Sequence, residues 1–335
     1  VLGSRIISTI LLSTSLLAVS SPLVGELAAT IPPIFLYGFS SQTDALGIPY
    51  EEVTFPTTDG LILRGWLFPA GKQDAPAIIY APATSRDQRS GLSLVRPLHE
   101  AGYHVLLFSY RGHGRSDGNR TGFTYGAKES KDVDAAVSYL HDARDIHRIG
   151  AIGHSAGAAS IIISAARNRH IGAVVAVAPF ATLEEVWETN RPALIPKFVL
   201  DLTMRFSEFR KGFCRCDVRP QDLIARISPR PLLLVHGSDD RRITQEQAYH
   251  LFALAERPKQ MWLVEGANHS EVRNPVLDEL IPEIIEFLDE SLIGGSRLAV
   301  DPFGVGEDIA VENQAPQQHL ATLDARGWQR STVGF

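Results

Sequence analysis

The sequence predicts an α/β fold: an eight-stranded, mostly parallel sheet flanked by helices. Two observations carry that expectation. Short, near-continuous Val/Ile/Leu/Ala runs recur along the chain, as in strands buried on both faces, and stretches with helical spacing of apolar residues separate them. A third sets the start of the sheet: two alternating runs join through a short Gly-containing turn, so an antiparallel hairpin precedes the strand–helix alternation.

The elements follow in order. Residues 50–55 and 61–68 flank Thr57-Thr58-Asp59-Gly60 and form the hairpin. Strands are then expected at 77–81, 104–109, 148–153, 173–178, 232–236 and 260–264, with helices at 91–101, 124–141, 155–167, 244–255 and 275–292. In the second of these helices Ala127, Val133, Ala136, Val137 and Leu140 fall roughly at helical spacing. About 48 residues separate the sixth strand from the seventh, too many for a structureless loop, and are expected to form a helical cap insertion at about 181–228. The organisation predicted is an N-terminal segment and linker (1–45), one α/β domain (46–294) and a C-terminal tail (295–335). That tail, with Gly294, Gly295, Pro302, Gly304 and Gly306, reads as a surface wrap or a poorly ordered end without chemistry. No repeat of 20–50 residues is visible.

Composition narrows the function classes. The chain has 335 residues, 44% hydrophobic and 21% charged, with a net charge of −6. This suits a large buried core and excludes disorder, collagen and a coiled coil. With no basic block, a nucleic-acid partner is not expected. Cys214 and Cys216 are too few for a disulfide framework, a bridge across one residue is expected to be strained, and zinc-ligand spacing is absent. Residues 6–25 are uncharged, between Arg5 and Glu26. Their length just spans a bilayer. Ala18 and Ser20 also suit a signal peptide cut after Ser20, and a third reading is an apolar helix lying against the domain. Export or membrane anchoring in the cell envelope is expected, with the cytoplasm as the alternative.

The strongest chemical signal is Gly153-His154-Ser155-Ala156-Gly157. It matches G-x-S-x-G between an expected strand and an expected helix. A serine at such a sharp turn needs small neighbours for close approach, and the helix N-terminus beyond it offers free N–H groups where an oxyanion would form. The alternative, a plain surface turn, lacks any need for this context.

On these residues the chain resembles an α/β-hydrolase of the esterase and serine-aminopeptidase-like branch, over roughly residues 50–292. Three further segments carry the resemblance. Ser109-Tyr110-Arg111-Gly112-His113-Gly114-Arg115-Ser116-Asp117-Gly118 is similar to the family's D-Y-R-G-x-G-x-S-x-G, with Ser109 in place of Asp. Residues 231–243, ending Gly237-Ser238-Asp239-Asp240-Arg241-Arg242-Ile243, resemble P-x-L-x-x-H-G-x-x-D-x-x-V. Gly266-Ala267-Asn268-His269 resembles the G-x-x-H that carries the catalytic histidine.

The resemblance implies a triad of Ser155 as nucleophile, His269 as its base and Asp240 as the acid that orients it. Asp239 is adjacent to Asp240, and Glu184 and Glu185 follow the sixth strand; these are the alternative acids. The resemblance also implies an oxyanion hole from the Ala156 amide and a second amide after the third strand. There the family's His-Gly is replaced by Ala81-Pro82-Ala83-Thr84; Pro82 has no N–H, so Ala83 is expected to donate, with Thr84 second. His154 is expected to pack beside the nucleophile, and His113 and His236 to anchor turns or, for one of them, to line the pocket.

In the insertion, Trp187, Phe198, Phe206, Phe209 and Phe213 are expected either to roof an acyl pocket or to pack on the core. Its basic residues Arg205, Arg210, Lys211, Arg215 and Arg219 read as a solvated face, able to attract acidic lipid if the N-terminus anchors the protein. The reading is a serine hydrolase of small-molecule or lipid-like carboxylic esters that needs no metal or organic cofactor. Alternatives are peptidase, thioesterase or lysophospholipase-like hydrolysis, acyl transfer to an acceptor other than water, and a catalytically weak scaffold that binds a ligand or protein.

Overall fold

A computed structural model describes residues 46–72, 74–272 and 276–294, with the backbone of 319–323 and 328–333. The expected anchor or signal peptide at 6–25 lies outside the described residues. Among those described, no helix is long and apolar enough to cross a membrane.

The chain opens with β1 (Glu51–Pro56) and β2 (Ile62–Phe68), paired antiparallel from Glu51↔Leu67 to Pro56↔Ile62. Thr57 closes the turn: its Oγ1 accepts from the Leu61 amide at 3.0 Å. Strands β3 (Ala77–Ala81), β4 (His104–Ser109), β5 (Ile149–His154), β6 (Ile171–Val177), β7 (Leu232–Gly237) and β8 (Lys259–Val264) follow, with parallel pairing from β4 across to β8. The helices on the sheet are α1 (Leu92–Glu100), α2 (Glu129–Ser138), α3 (Ala156–Ala165), α6 (Gln245–Leu254) and α7 (Val276–Leu292). Between β6 and β7 lie α4 (Leu183–Thr189) and α5 (Lys197–Lys211).

Alternation along each strand divides the core in two. Ile79, Leu106, Ala151, Val174 and Leu234 face α2, α3 and α6, burying Val133, Ile162 and Leu251. Ile78, Leu107, Ile152, Val175 and Leu233 face α1 and α7, burying Leu98, Leu280, Ile284 and Leu288. Central strands with both faces covered cannot carry polar residues, which is why they read as unbroken apolar runs.

Two findings go beyond the expectations. The eight expected strands are all present, and the tail adds β9 (His319–Leu323) and β10 (Trp328–Val333), so that the sheet runs β1-β2-β4-β3-β5-β6-β7-β8-β10-β9. β10 pairs antiparallel with β8, from Arg330↔Val264 to Val333↔Met261, and so supplies backbone partners along an otherwise open edge. The Gly and Pro content of the tail masked this; its short Trp/Thr/Val-containing run was the available signal. The second concerns Cys214 and Cys216, which are disulfide-bonded to each other, with Cα atoms 5.1 Å apart. A tight turn at Arg215–Asp217 brings the two backbones within ordinary bridging distance.

The loop after β4 is tied down by one guanidinium. Arg111, buried, donates to Asp132 Oδ1 through Nε and Nη2 at 2.9 and 2.7 Å, and through Nη1 to Asp59 Oδ2 at 2.6 Å. Asp132 is fully buried on α2, and its Oδ2 also accepts from the Arg111 amide at 2.9 Å. The hairpin turn, the β4 loop and α2 are thereby joined. The same guanidinium, hydrogen-bonded to Asp59, holds that carboxyl down to about 2. Removing Arg111 leaves a buried carboxylate without its counter-charge. Arg111→Ala is expected to cost about 3–5 kcal/mol in urea unfolding, and a loss under about 1 kcal/mol would show that water replaces the guanidinium.

Candidate active site

Three strands of the parallel run β5-β6-β7-β8 end on one side of the sheet, and the segment after each carries one polar side chain. Ser155 follows β5, Asp240 lies in the loop after β7, and His269 in the loop after β8. Ser155 has φ +56° and ψ −118°, a left-handed conformation unfavourable for a residue with a Cβ, and its amide is pinned to the Val177 carbonyl at 2.8 Å. The turn closes only because its flanks are glycine. A Cβ on Gly153 would meet the Gly157 carbonyl carbon at 2.6 Å, and one on Gly157 would collide with the carbonyl oxygens of Ala81 and Pro82. The β3 loop therefore lies directly against the start of α3.

The side chains form a connected line. His269 Nε2 lies 3.2 Å from Ser155 Oγ, and its Nδ1 lies 2.6 Å from Asp240 Oδ2. Asp240 is buried, and its other oxygen accepts from the amides of Arg242 and Ile243, both at 2.9 Å. Burial raises the Asp240 carboxyl, but hydrogen bonding from His269, its charge and the Ile243 amide outweigh it and hold the group below the usual range. With Asp240 ionised, Nδ1 of His269 donates and Nε2 is left to accept from the serine hydroxyl. The two loops are stitched together as well: the Asp239 amide donates to Ala267 O at 3.0 Å, and the Gly266 amide to Ser238 Oγ at 2.7 Å.

The alternative acids stand apart from His269. Asp239 is exposed, Glu184 faces Arg219 across 3.8 Å, and Glu185 is exposed on α4. Ala156, the first residue of α3, and Ala83, in the turn after β3, are both buried; that turn is closed by the Arg86 amide donating to Ala83 O at 3.1 Å. The Ala156 amide belongs to the first turn of α3, where no preceding helical carbonyl is available to it. Among the described residues no cluster of His, Cys, Asp or Glu suits a metal ion.

Of the supporting residues, sequence reasoning names His236 as a turn anchor and His154 as a neighbour of the nucleophile, and misses Asn190. His236 is fully buried; its Nε2 donates to Ile243 O at 2.8 Å and lies 3.7 Å from Asp240 Oδ2, behind the acid. His154 places its ring 5.1 Å from that of His269. Asn190, capping α4, donates through Nδ2 to Arg242 O at 2.9 Å and ties the insertion to the acid loop. The bonds from Asp240 to the amides two and three residues on follow the local pattern expected of Asp in a turn, a signal legible in the sequence. The contacts of His154 with His269 and of Asn190 with Arg242 join distant segments and carry no such signal.

The aromatics of the insertion divide between inside and outside. Trp187 and Phe213 pack against the core, whereas Phe198 and Phe209 are 73% and 86% exposed and Phe206 is 43% exposed, so these three do not fill the interior.

The sequence and the fold are similar to those of known proteins. The family described as "Serine aminopeptidase, S33" matches residues 89–211. The uncharacterized protein YfhR of Escherichia coli is 29% identical over 229 residues, 65% of this chain and 73% of that protein. Rv2307c of Mycobacterium tuberculosis, also uncharacterized, is 29% identical over 251 residues, 73% of this chain and 81% of its own length. Among solved structures, the esterase Pf2001 of Pyrococcus furiosus superposes with a TM-score of 0.64 at 24% identity, covering 78% of this chain and 99% of that one. The chain thus has the fold of these hydrolases and is similar to the serine-aminopeptidase family over the matched residues.

The buried histidines set an acid limit on stability. Burial pushes both His113 and His236 below the ordinary imidazole value, so each is neutral in the folded chain where it would already be protonated in the unfolded one. The unfolded state then binds more protons, and stability rises with pH in that window. Unfolding free energy is expected to be level above about pH 7.5 and to fall below about pH 6.5, by up to about 1.4 kcal/mol per pH unit for each histidine. Urea titrations from pH 5 to 8 measure this; a level profile down to pH 5 would show that neither ring resists protonation.

Proposed function

We propose that the protein hydrolyses carboxylic esters through a serine nucleophile. The observation that carries the reading is the line from Asp240 through His269 to Ser155, at 2.6 and 3.2 Å, ending on a serine in a strained strand-to-helix turn. Ser155 Oγ attacks the ester carbonyl while His269 Nε2 takes its proton. The tetrahedral oxyanion is held by the amides of Ala156 and Ala83 and stabilised by the N-terminus of α3. Collapse expels the alcohol, protonated by His269, and leaves an acyl group on Ser155. Water, deprotonated by the same histidine, attacks that acyl carbonyl and releases the acid. Asp240 keeps Nδ1 protonated and stabilises the imidazolium at each proton transfer.

The likeness to an esterase of the same fold supports this reading. The insertion between β6 and β7, roughly 181–228, serves as a cap on the domain at 46–294, with Trp187 and Phe213 turned inward. The aminopeptidase description of the matched family favours a second reading, attack of the same serine on an amide carbonyl.

Two measurements test the proposal. Ser155 is expected to be labelled by a fluorophosphonate, and Ser155→Ala to lose both the label and at least about a thousandfold of p-nitrophenyl ester turnover. A folded parent that takes the label but cleaves only amides would select the second reading, and absence of labelling would remove both. Asp240→Asn is expected to lower kcat by about ten-thousandfold, since the wrong tautomer then faces Ser155. Asp239→Asn is expected to leave the rate unchanged, and the reverse pattern would reassign the acid.

A further inference from the structure

The disulfide between Cys214 and Cys216 spans a single residue. A bridge steadies a fold by denying conformations to the unfolded chain, and so small a ring denies it few compared with one closed by distant cysteines. Holding the domain together is thus a poor account of this bridge. Its two sulfurs are also unequally placed. Cys216 is exposed and lines a groove of about 510 Å³ between the insertion and helices α2 and α3, whereas Cys214 is half-buried. Sγ of Cys214 accepts from the Cys216 amide at 3.1 Å, a hydrogen bond that favours negative charge on that sulfur. Sγ of Cys216 lies 3.9 Å from Asp217 Oδ1, a carboxylate that disfavours negative charge there.

The bridge closes the turn from which helix α5 is held. Arg215, the residue inside the ring, reaches back along α5. Its Nη2 donates to Asp201 Oδ1 at 2.8 Å, its Nη1 meets Met204 Sδ at 3.3 Å, and its amide donates to Glu208 Oε1 at 2.7 Å. Beyond the ring the chain is anchored. Val218 is fully buried, and its carbonyl accepts from the Leu183 amide, at the start of α4, at 3.1 Å. The ring therefore stands between a fixed point and the clamp on α5. Opening it lifts the covalent restraint that keeps the two cysteine Cα atoms 5.1 Å apart, with Arg215 between them.

We propose that Cys214–Cys216 is a thiol–disulfide exchange site for a dithiol, and that opening the bridge loosens α5. One thiolate of the dithiol attacks Sγ of Cys216, the sulfur within reach. The bond between the two protein sulfurs breaks, and Cys214 leaves as the thiolate that the Cys216 amide stabilises. The second sulfur of the dithiol then attacks the first, forming its cyclic disulfide and releasing Cys216. Two electrons pass to the protein, and the two protons of the dithiol end on Cys214 and Cys216. The same exchange in reverse lets a disulfide close the bridge, so no other class of oxidant enters. With the ring open, Arg215 is held less firmly over Asp201 and Glu208, and α5 is freed at its C-terminal end.

The test uses the full chain, folded and without denaturant, in graded dithiothreitol quenched with N-ethylmaleimide. Peptide mass spectrometry is expected to find Cys214 and Cys216 alkylated together, and protected again once dithiothreitol is removed and oxidised glutathione added. A bridge that yields only in urea would overturn the proposal. Reduced glutathione, a monothiol, followed by the same quench is expected to leave glutathione on Cys216 and the maleimide on Cys214. The opposite placement would overturn the assigned direction of attack. Hydrogen exchange of the α5 amides is expected to quicken by at least about tenfold on reduction, with the amides of α3 unchanged. Unchanged exchange in α5 would show that the bridge does not steady the helix, and would overturn that part of the proposal. Cys214→Ser combined with Cys216→Ser is expected to exchange at the fast rate without reductant. Where that variant does not fold, the reduced and reoxidised parent decides.

Discussion

The rest of the site depends on a single close approach, that of the β3 loop to the turn between β5 and α3. Gly157 has no side chain, so the carbonyls of Ala81 and Pro82 occupy the space a Cβ would take. That contact brings Ala83 to the same side of the sheet as Ser155 and holds α3 against the end of β5. Ser155 is thereby kept at φ +56°, a conformation it would leave if the surroundings did not impose it. The strain lifts the hydroxyl out of the backbone turn toward His269. Structure and chemistry meet at a position where local preference is overruled by packing.

Around that turn the polar groups are placed by different means. Asp240 is held locally, by two amides of its own loop, which suits a group that must stay ionised and still. His269 is held by Asp240 and by the stitching of its loop to the residues after β7. The parallel order β5-β6-β7-β8 makes this assembly short-ranged in space though it spans more than a hundred residues of chain. Arg111 performs a comparable task on the other flank, where one guanidinium joins the hairpin turn to α2 through two carboxylates.

The insertion follows other rules. Its inner residues, Trp187 and Phe213, pack on the domain, and Asn190 reaches the acid loop. Its outer helix spends four large apolar side chains on solvent while keeping threonine and serine inside. A composition scan sees aromatic residues in this stretch and assigns them to a pocket or a core. The register of α5 turns Phe198, Phe206 and Phe209 to solvent instead, while Thr203 and Ser207, about 100° round the helix from Leu202 and Phe206 respectively, take the buried side.

What the sequence determined by itself were the features with a local or periodic cause. The six parallel strands were legible because burial on both faces demands unbroken apolar runs, and the opening hairpin through alternation about a Gly-containing turn. The turn at Ser155 was legible because its glycines are a local steric requirement. Asp240 and His269 stood out through motif resemblance. Only the tertiary structure decided the contacts made across the chain: that Asp239 faces solvent while its neighbour meets His269, that His236 stands behind the acid, and that the tail adds β10 along the edge of β8. It also decided that the Cys214 and Cys216 backbones turn tightly enough to bridge. Such contacts depend on which face a residue turns to and which segment arrives there, and neither is encoded in spacing along a single stretch of chain.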